Sequence, residues 1–389
     1  MKKVVAVCAV AVGALALLAG CGSSEETSVK TKSPITSSKG ASSEELASLE
    51  GIPASSEVAK PTVEGDTVKI PIGAGKSISW KKGQKMNIAF FTIGSTNDYL
   101  VEQNNAVKEE AEKLGADVTT YDGNFESSQQ VDQIQSALSS GKYNAIIANP
   151  VDPELECNLL SKTPASENIL VTIMVGPLCD RGGADGAKTW VPGTLNFVGG
   201  DGQPETLEAY FEEIAKANPG KHEIALLVGP QDNPPSINAV NAMKAVVAKN
   251  PNLTLGATYY TDYSSQQGYQ DTQTLLQSHP NVDLIVNSYA EITVGEVAAL
   301  KQAGGEAEVK LYDKGGDSFD AAQVKDGTLA MDLPQYPVSN SKAAVDSLYL
   351  ATQGKPVPRY LGNDGLPASE GPTYVTPQNV EQFTPQYKG

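Results

Sequence analysis

From Asn87 onward, short apolar runs alternate with amphipathic stretches, and this alternation limits the fold more than any other feature of the chain. The first unit shows the pattern. Asn87-Ile88-Ala89-Phe90-Phe91-Thr92-Ile93 is a run of β-branched and aromatic residues, as in a strand covered on both faces. Gly94 breaks it, and Thr96, Asn97 or Asp98 can cap the helix that follows. That helix sets Leu100, Val107, Ala111 and Leu114 on one face, with Lys and Glu opposite. Strand, polar loop and amphipathic helix open a parallel α/β sheet, whose ligands lie at the carboxyl ends of its strands. Ser95 to Tyr99 is therefore read as the first wall of a small-molecule site.

The same unit repeats along the chain. Strands are predicted at 117–121, 145–148, 169–175 and 195–198, with a helix at 127–140. A Gly-rich loop from Gly176 to Gly193 is longer than most connections, which marks it as functional or mobile. After Gly199-Gly200-Asp201-Gly202 the pattern restarts. Helices at 205–217, 236–249, 265–277, 291–303, 318–325 and 339–353 alternate with strands at 223–228, 253–260, 284–287, 309–312 and 329–333. Such alternation means right-handed crossovers and parallel sheets. There are too many strands for one compact sheet, so two similar lobes are expected. Ahead of them, Val68-Lys69-Ile70-Pro71-Ile72 reads as an edge strand added before the main fold.

The start of the chain is of another kind. Lys2 and Lys3 precede an uncharged apolar run from Val4 to Leu18, too short for a comfortable membrane span, and Leu18-Ala19-Gly20-Cys21 follows. That tetrad resembles the lipobox of bacterial lipoproteins, which implies lipid on Cys21 and cleavage just before it; an ordinary secretory signal is the alternative. Removing residues 1–20 deletes two lysines and takes the formal charge from −17 to −19. So acidic a chain has nothing to neutralise phosphates, and nucleic-acid binding is not expected. Gly22 to about Pro61, rich in Ser, Glu, Thr and Lys, reads as a disordered tether. Cys157 and Cys179 remain, and an even pair in an exported protein points to a disulfide worth roughly 3 kcal/mol, with two buried thiols as the alternative.

Several local patterns resemble the type I periplasmic sugar-binding proteins of ABC transporters, the ribose-binding group above all. Thr96-Asn97-Asp98-Tyr99-Leu100-Val101 is similar to the family's stretch after the first strand. Ile146-Ile147-Ala148-Asn149-Pro150-Val151-Asp152 is close to its signature at the third, Lys325-Asp326-Gly327-Thr328-Leu329-Ala330 resembles its Asp-Gly-x-Leu turn, and Val375-Thr376-Pro377-Gln378-Asn379-Val380 its closing segment. The resemblance runs from about Met86 to Phe383. It implies two doubly wound parallel-sheet lobes joined by a three-crossover hinge and closing over one ligand. The expected division is a leader over 1–20, lipidated Cys21 and tether over 21–84, a first lobe of 85–202 plus 336–360, and a second of 203–335 plus 361–389.

Residue by residue, the resemblance implies a polar wall that includes Asn97, a stacking ring at Tyr99, and Leu100 in the second aromatic place; Ser95 joins the wall on the strand-loop-helix reading alone. From the second lobe it brings Tyr263 and Asp313, with Gln335 at the hinge near the second crossover, and Tyr289 is a further candidate that departs from the family's residue at its position. Planar amides and carboxylates can bond sugar hydroxyls in pairs while a C–H face lies on an aromatic ring. Each residue also has a plainer reading: Asn97 as a helix cap, Tyr99 as packing over the helix start, Gln335 as a rigid hinge between Pro334 and Pro337, and Asp152 as a cap. The family's Asp-Arg pair after the fourth strand falls on Val175-Gly176, with Asp180-Arg181 slightly further on. Its helix Arg is replaced within Ser236-Ile237-Asn238-Ala239, and its strand-end Asn by Tyr289. A site poorer in guanidinium forks implies a ligand less polyhydroxylated than ribose, or one held in another register.

The expected function is the solute-binding component of an ABC importer, held outside the membrane by lipid alone. Its partners would be a sugar-like solute and an ABC permease, and it would act as a monomer without cofactor. A sensory protein presenting ligand to a receptor or kinase is the alternative. His222 and His279, the two histidines, read as solvated and supply no metal or nucleophile constellation, so neither metal nor catalysis is expected.

Overall fold

The alternation folds into two parallel sheets, each covered by helices on both faces. A computed structural model describes residues 58–231, 233–304, 309–362 and 371–389. The expected leader, Cys21 and the tether up to residue 57 lie outside these residues.

The described chain begins with β1 (Val58–Ala59), β2 (Thr62–Glu64), β3 (Thr67–Gly73) and β4 (Lys76–Lys81). Where one edge strand was expected, β2, β3 and β4 form an antiparallel sheet of their own. The physical reason is two tight turns that send the strand back on itself. Ala74 and Gly75 both take positive φ, the conformation a two-residue hairpin needs. Val68, Ile70 and Ile72 then share one face of β3 and pack, with Ile78 and Trp80, on the first lobe's core.

The first lobe follows the sequence pattern: β5 (Asn87–Thr92), α1 (Asp98–Lys113), β6 (Asp117–Asp122), α2 (Ser127–Ser140), β7 (Ala145–Ala148), α3 (Cys157–Ser161), α4 (Thr163–Ser166), β8 (Leu170–Met174) and β9 (Asn196–Val198). The second lobe contains α5 (Pro204–Ala217), β10 (His222–Val228), α6 (Pro234–Lys249), β11 (Leu253–Tyr260), α7 (Ser265–Ser278), β12 (Leu284–Asn287), α8 (Ala290–Ala303), β13 (Lys310–Asp313), α9 (Ser318–Asp326) and β14 (Leu329–Asp332). Then come α10 (Pro337–Thr352), β15 (Val357–Pro358) and β16 (Tyr360–Leu361). The sheets run β16-β9-β8-β7-β5-β6 and β11-β10-β12-β13-β14, and every pairing within them is parallel.

Continuous apolar strands are what such sheets require, because alternate side chains enter two different cores. In the first lobe Ile88, Phe90, Ile147 and Leu170 meet Val107 of α1 and Leu348 of α10, while Ala89, Phe91, Ile146 and Val171 meet Ile134 of α2 and Leu160 of α3. In the second, Leu226 and Val286 meet Tyr210 of α5 and Met243 of α6, and Leu227 and Ile285 meet Leu275 of α7 and Leu300 of α8.

The chain changes lobes three times. It leaves the first after β9, through Gly199 to Gln203, and returns after β14 to place α10 on the first lobe's core. β16 then pairs with β9, and Val375 forms a bridge with Asp332 back in the second lobe. Gly200 is needed at the first crossing: its φ is 138°, and a Cβ there would run into the Tyr360 hydroxyl. Among the described residues no helix is long and apolar enough to cross a membrane.

Candidate functional site

Both sheets share the order 2-1-3-4-5 over their first five strands, so each reverses direction beside its first strand. Ligands of such sheets bind at the carboxyl ends next to that reversal. In the first lobe this edge carries residues 93–99 and Asn149; in the second it carries Gly229, Tyr263, Tyr289 and 313–316.

The first wall is built from amides and one ring. Asn97 has extended backbone, and its side-chain oxygen accepts the Leu100 N–H at 2.9 Å, so it caps α1. Behind it, Asn104 donates to the Gly94 carbonyl at 3.1 Å and Asn149 donates to Gln103 at 3.2 Å. Gln130 donates to the carbonyls of Thr92 and Asn149. Tyr99 is buried, edge-on to Tyr387 with ring centroids 5.7 Å apart, in an apolar cluster with Leu100 and Ala290 of the second lobe. Burial, and then the nearby Asp201 charge, pushes its phenol up. Ser95 is not part of this group; its exposed hydroxyl donates to the Asp122 carboxylate.

The second wall is built from rings and carboxyls. Tyr263 has φ of 64°, an uncommon conformation for a bulky residue that tends to collect at functional sites. Its ring lies edge-on to Tyr289 at 5.2 Å, and its phenol oxygen accepts from Asn233 at 3.2 Å. The Tyr289 N–H donates to Asn287 at 3.0 Å. Tyr289's phenol is raised by burial first and then by the Glu291 charge. Asp313 ends β13 fully buried, with the Asp320 carboxyl and the Thr293 hydroxyl as neighbours. Burial pushes its carboxyl up to about 7.

Three further aspartates surround it. Asp332 stands opposite Asp313 in the β13–β14 register and accepts the Gly315 N–H at 3.1 Å. Asp320 accepts from Gly316 at 3.1 Å, and Asp317 completes a capping box by accepting from Asp320 at 2.7 Å. Burial first, and then mutual repulsion, raises Asp320 and Asp332 well above the usual carboxylate range. Burial alone leads at Glu291, pushed up to about 7, and at Glu296, pushed up to about 8. This edge therefore holds protons near neutral pH.

One buried ion pair joins the walls at the crossings. Asp201, on the first crossover, meets the Lys314 ammonium at 2.8 Å and accepts the Gln335 amide at 2.7 Å. Burial opposes its charge, but the Lys314 attraction and the two hydrogen bonds win and hold its carboxyl below the usual range. Gln335 also donates its N–H to the Gly315 carbonyl at 2.8 Å. The sequence singled out Gln335 and not Asp201.

The long Gly-rich loop spans the lobes elsewhere. Cys157 and Cys179 form a disulfide with Cα atoms 4.9 Å apart, which fixes the loop's start to α3. Asp185 accepts the Glu205 N–H of α5 at 2.8 Å, and Asn238 of α6 donates to the carbonyls of Gly182 and Gly202. Arg181 donates to the Lys188 carbonyl within its own loop, and Asp180 pairs with Glu154, whose carboxyl this contact pushes up to about 7. Val175, which took the family's Asp position, has φ of 64°. Asp152 caps the turn that follows it, accepting from Glu154 and Leu155 at 3.0 Å each. His222, expected to be solvated, instead binds Asp283 at 2.8 Å at the opposite, amino edge of the second sheet.

The comparisons with known proteins agree with this architecture. A family model described as "Periplasmic binding protein domain" matches residues 88–356, and the chain belongs to that family. It is 23% identical over 276 residues to the ribose import binding protein of Bacillus subtilis strain 168, covering 70% of this chain and 85% of that one. A D-apiose import binding protein of Actinobacillus succinogenes is 23% identical over 217 residues, 56% of this chain and 66% of the relative. Among solved structures, a solute-binding protein of Bacillus halodurans C-125 with bound myo-inositol superposes with a TM-score of 0.66 at 20% identity, covering 78% of this chain and 98% of that one. An Actinobacillus succinogenes protein with bound D-allose gives 0.65 at 18% identity, covering 77% and 100%.

Proposed function

We propose that the chain is the solute-binding component of an ABC importer, taking up one sugar or sugar-like molecule between its lobes. The observation that carries this reading is the meeting of two reversal-point edges, Tyr99 from one sheet and Tyr289, Tyr263 and Asp313 from the other, around one set of crossings. Asn97 and Tyr99 would line one side, and Asp313 with its neighbouring tyrosines the other. Gln335, tied to Asp201, would report the relative position of the lobes. Ser95 would take part only after leaving Asp122.

The named relatives support import: ribose and D-apiose import binding proteins among the sequences, and structures with D-allose and myo-inositol among the folds. These names support the import reading over the sensory alternative. Ligand capture would draw the lobes together about the three crossings, and a permease would read both lobes at once. We further propose that lipid on Cys21 holds the protein, as a monomer, at the outer face of the cell membrane, and that it binds without turnover. The acidic second wall, on which no guanidinium lies among the described residues given above, supports a solute less dependent on arginine forks than ribose.

The test is native mass spectrometry of protein purified without dialysis, followed by calorimetry with pentoses, hexoses and polyols. One solute bound per chain, released on unfolding, is the expected result. No solute and no heat across the panel would defeat the reading; tight ribose binding would defeat only the inference about arginine.

A further inference from the structure

Tyr99 is the ring expected to stack on the ligand, and stacking needs an open face. Only 6% of Tyr99 is exposed, and what covers it includes a residue far along the chain. Tyr387 lies edge-on to it at 5.7 Å, itself 3% exposed. The Tyr387 hydroxyl donates to the Gly315 carbonyl at 2.8 Å, in the loop beside Asp313. Its own carbonyl accepts the N–H and the hydroxyl of Ser318, both at 3.2 Å. Burial first, and then Asp320, Tyr289, Asp317 and Asp313, pushes its phenol far up, which sets the ring among residues of the second wall. Next to it, Gln386 accepts the N–H groups of Val338 and Ser339 at 3.0 Å each, two of the donors that the start of α10 leaves unpaired.

Val375 completes the bridge to Asp332, and Val375, Val380 and Phe383 complete the second lobe's apolar face. Residues after Phe383 add no strand to either sheet; they run to the cleft and touch both walls. A short tethered segment competes at an effective concentration in the millimolar range.

We propose that residues 384–389 are a tethered competitor for the cleft, and that Tyr387 sets the affinity of the site by occupying the face of Tyr99 that a ligand must reach. This rests on reading the cleft as a ligand site. A ligand then binds only the fraction of molecules whose segment has moved out, which lowers its apparent affinity by that fraction.

The experiment has two arms. In the first, D-ribose, D-allose and myo-inositol are titrated calorimetrically into the wild type, Tyr387→Ala and Tyr387→Phe. Whichever sugar binds should bind about tenfold more tightly to Tyr387→Ala, with a smaller gain for Tyr387→Phe, which keeps the ring and loses the bond to Gly315. Equal or weaker binding in a Tyr387→Ala protein that unfolds cooperatively at the wild-type temperature overturns the proposal. In the second arm, a labelled peptide Thr-Pro-Gln-Tyr-Lys-Gly is titrated into a chain stopped after Phe383. Saturable binding that is lost in Tyr99→Ala supports the proposal. No binding, or peptide and sugar held together by one molecule, overturns it. If no sugar binds any form, the sugar reading fails by itself, and the peptide arm still decides where the segment sits.

Discussion

The two walls of the cleft come from sheets with the same strand order and the same reversal point, yet they are held together by different chemistry. The first is a lattice of neutral amides, Gln103, Asn104, Gln130 and Asn149, bonded to one another and to carbonyls. The second packs Asp313, Asp317, Asp320, Asp332, Glu291 and Glu296 into one edge, and the nearby ammonium of Lys314 is engaged by Asp201. The shared strand order thus sets the same two edges against each other and leaves open which side chains line them. The neutral wall should respond little to pH and less strongly than the charged wall to loss of one partner. The charged wall should respond to both.

The largest effect should come from Lys314→Met, which leaves Asp201 buried without its counter-charge. Removing one partner of a buried pair costs about 3–5 kcal/mol, read as a lower denaturant midpoint. Gln103→Leu in the other wall should cost about 1–3 kcal/mol through the Asn149 amide it leaves unpaired. Equal losses in the two variants would erase the contrast between the walls.

The next effect is pH dependence. Carboxyls raised on folding bind protons more tightly in the folded state, so they favour it below their unfolded values near 4 and lose that advantage as pH rises. With Asp313 and Glu291 near 7 and Glu296 near 8, stability should fall between about pH 5 and pH 8. Asp201 works the other way: its depressed carboxyl stabilises above the unfolded value, and that contribution is lost as pH falls below it. Melting temperature should therefore peak on the mildly acidic side. Glu296→Gln keeps an acceptor for Asn287 and should flatten the alkaline limb. A melting temperature that rises steadily to pH 8 would contradict the charged-wall description.

A smaller effect belongs to the first wall. Asn97→Ala should cost about 1 kcal/mol through the lost cap on α1, and Asn97→Asp should restore most of it. If Asn97 also contacts ligand, Asn97→Asp will recover stability without recovering affinity, which separates the two roles.

Apart from β15 and β16, of two residues each, the strands and longer helices of both lobes were readable because continuous apolar strands and amphipathic helices leave periods that long-range contacts reinforce. The short helices α3 and α4 were not, since five and four residues carry no period. The meander was hidden because its turn at Ala74-Gly75 resembles any Gly-containing loop. Asp313 stood out by ending a strand at the ligand edge. Asp317 and Asp320 were not singled out, since the capping box they form is a local device whose burial no pattern announces, and Asp332 ends a short strand whose burial the sequence does not reveal. Asp201 was missed because its partners lie 113 and 134 residues away, with no local pattern to announce them. Tyr387 had no signal at all; only the folded chain brings it to Tyr99.

The central claim is that one solute is held between unlike walls, with Asp313 as the carboxyl that meets it. The direct measurement is calorimetric titration of the co-purifying solute into wild type, Asp313→Asn and Asn97→Asp. The account predicts one site per chain, with affinity reduced about a hundredfold or more in Asp313→Asn, a loss of 2.7 kcal/mol or more by the usual conversion, while the protein stays folded. Unchanged affinity in Asp313→Asn would contradict it.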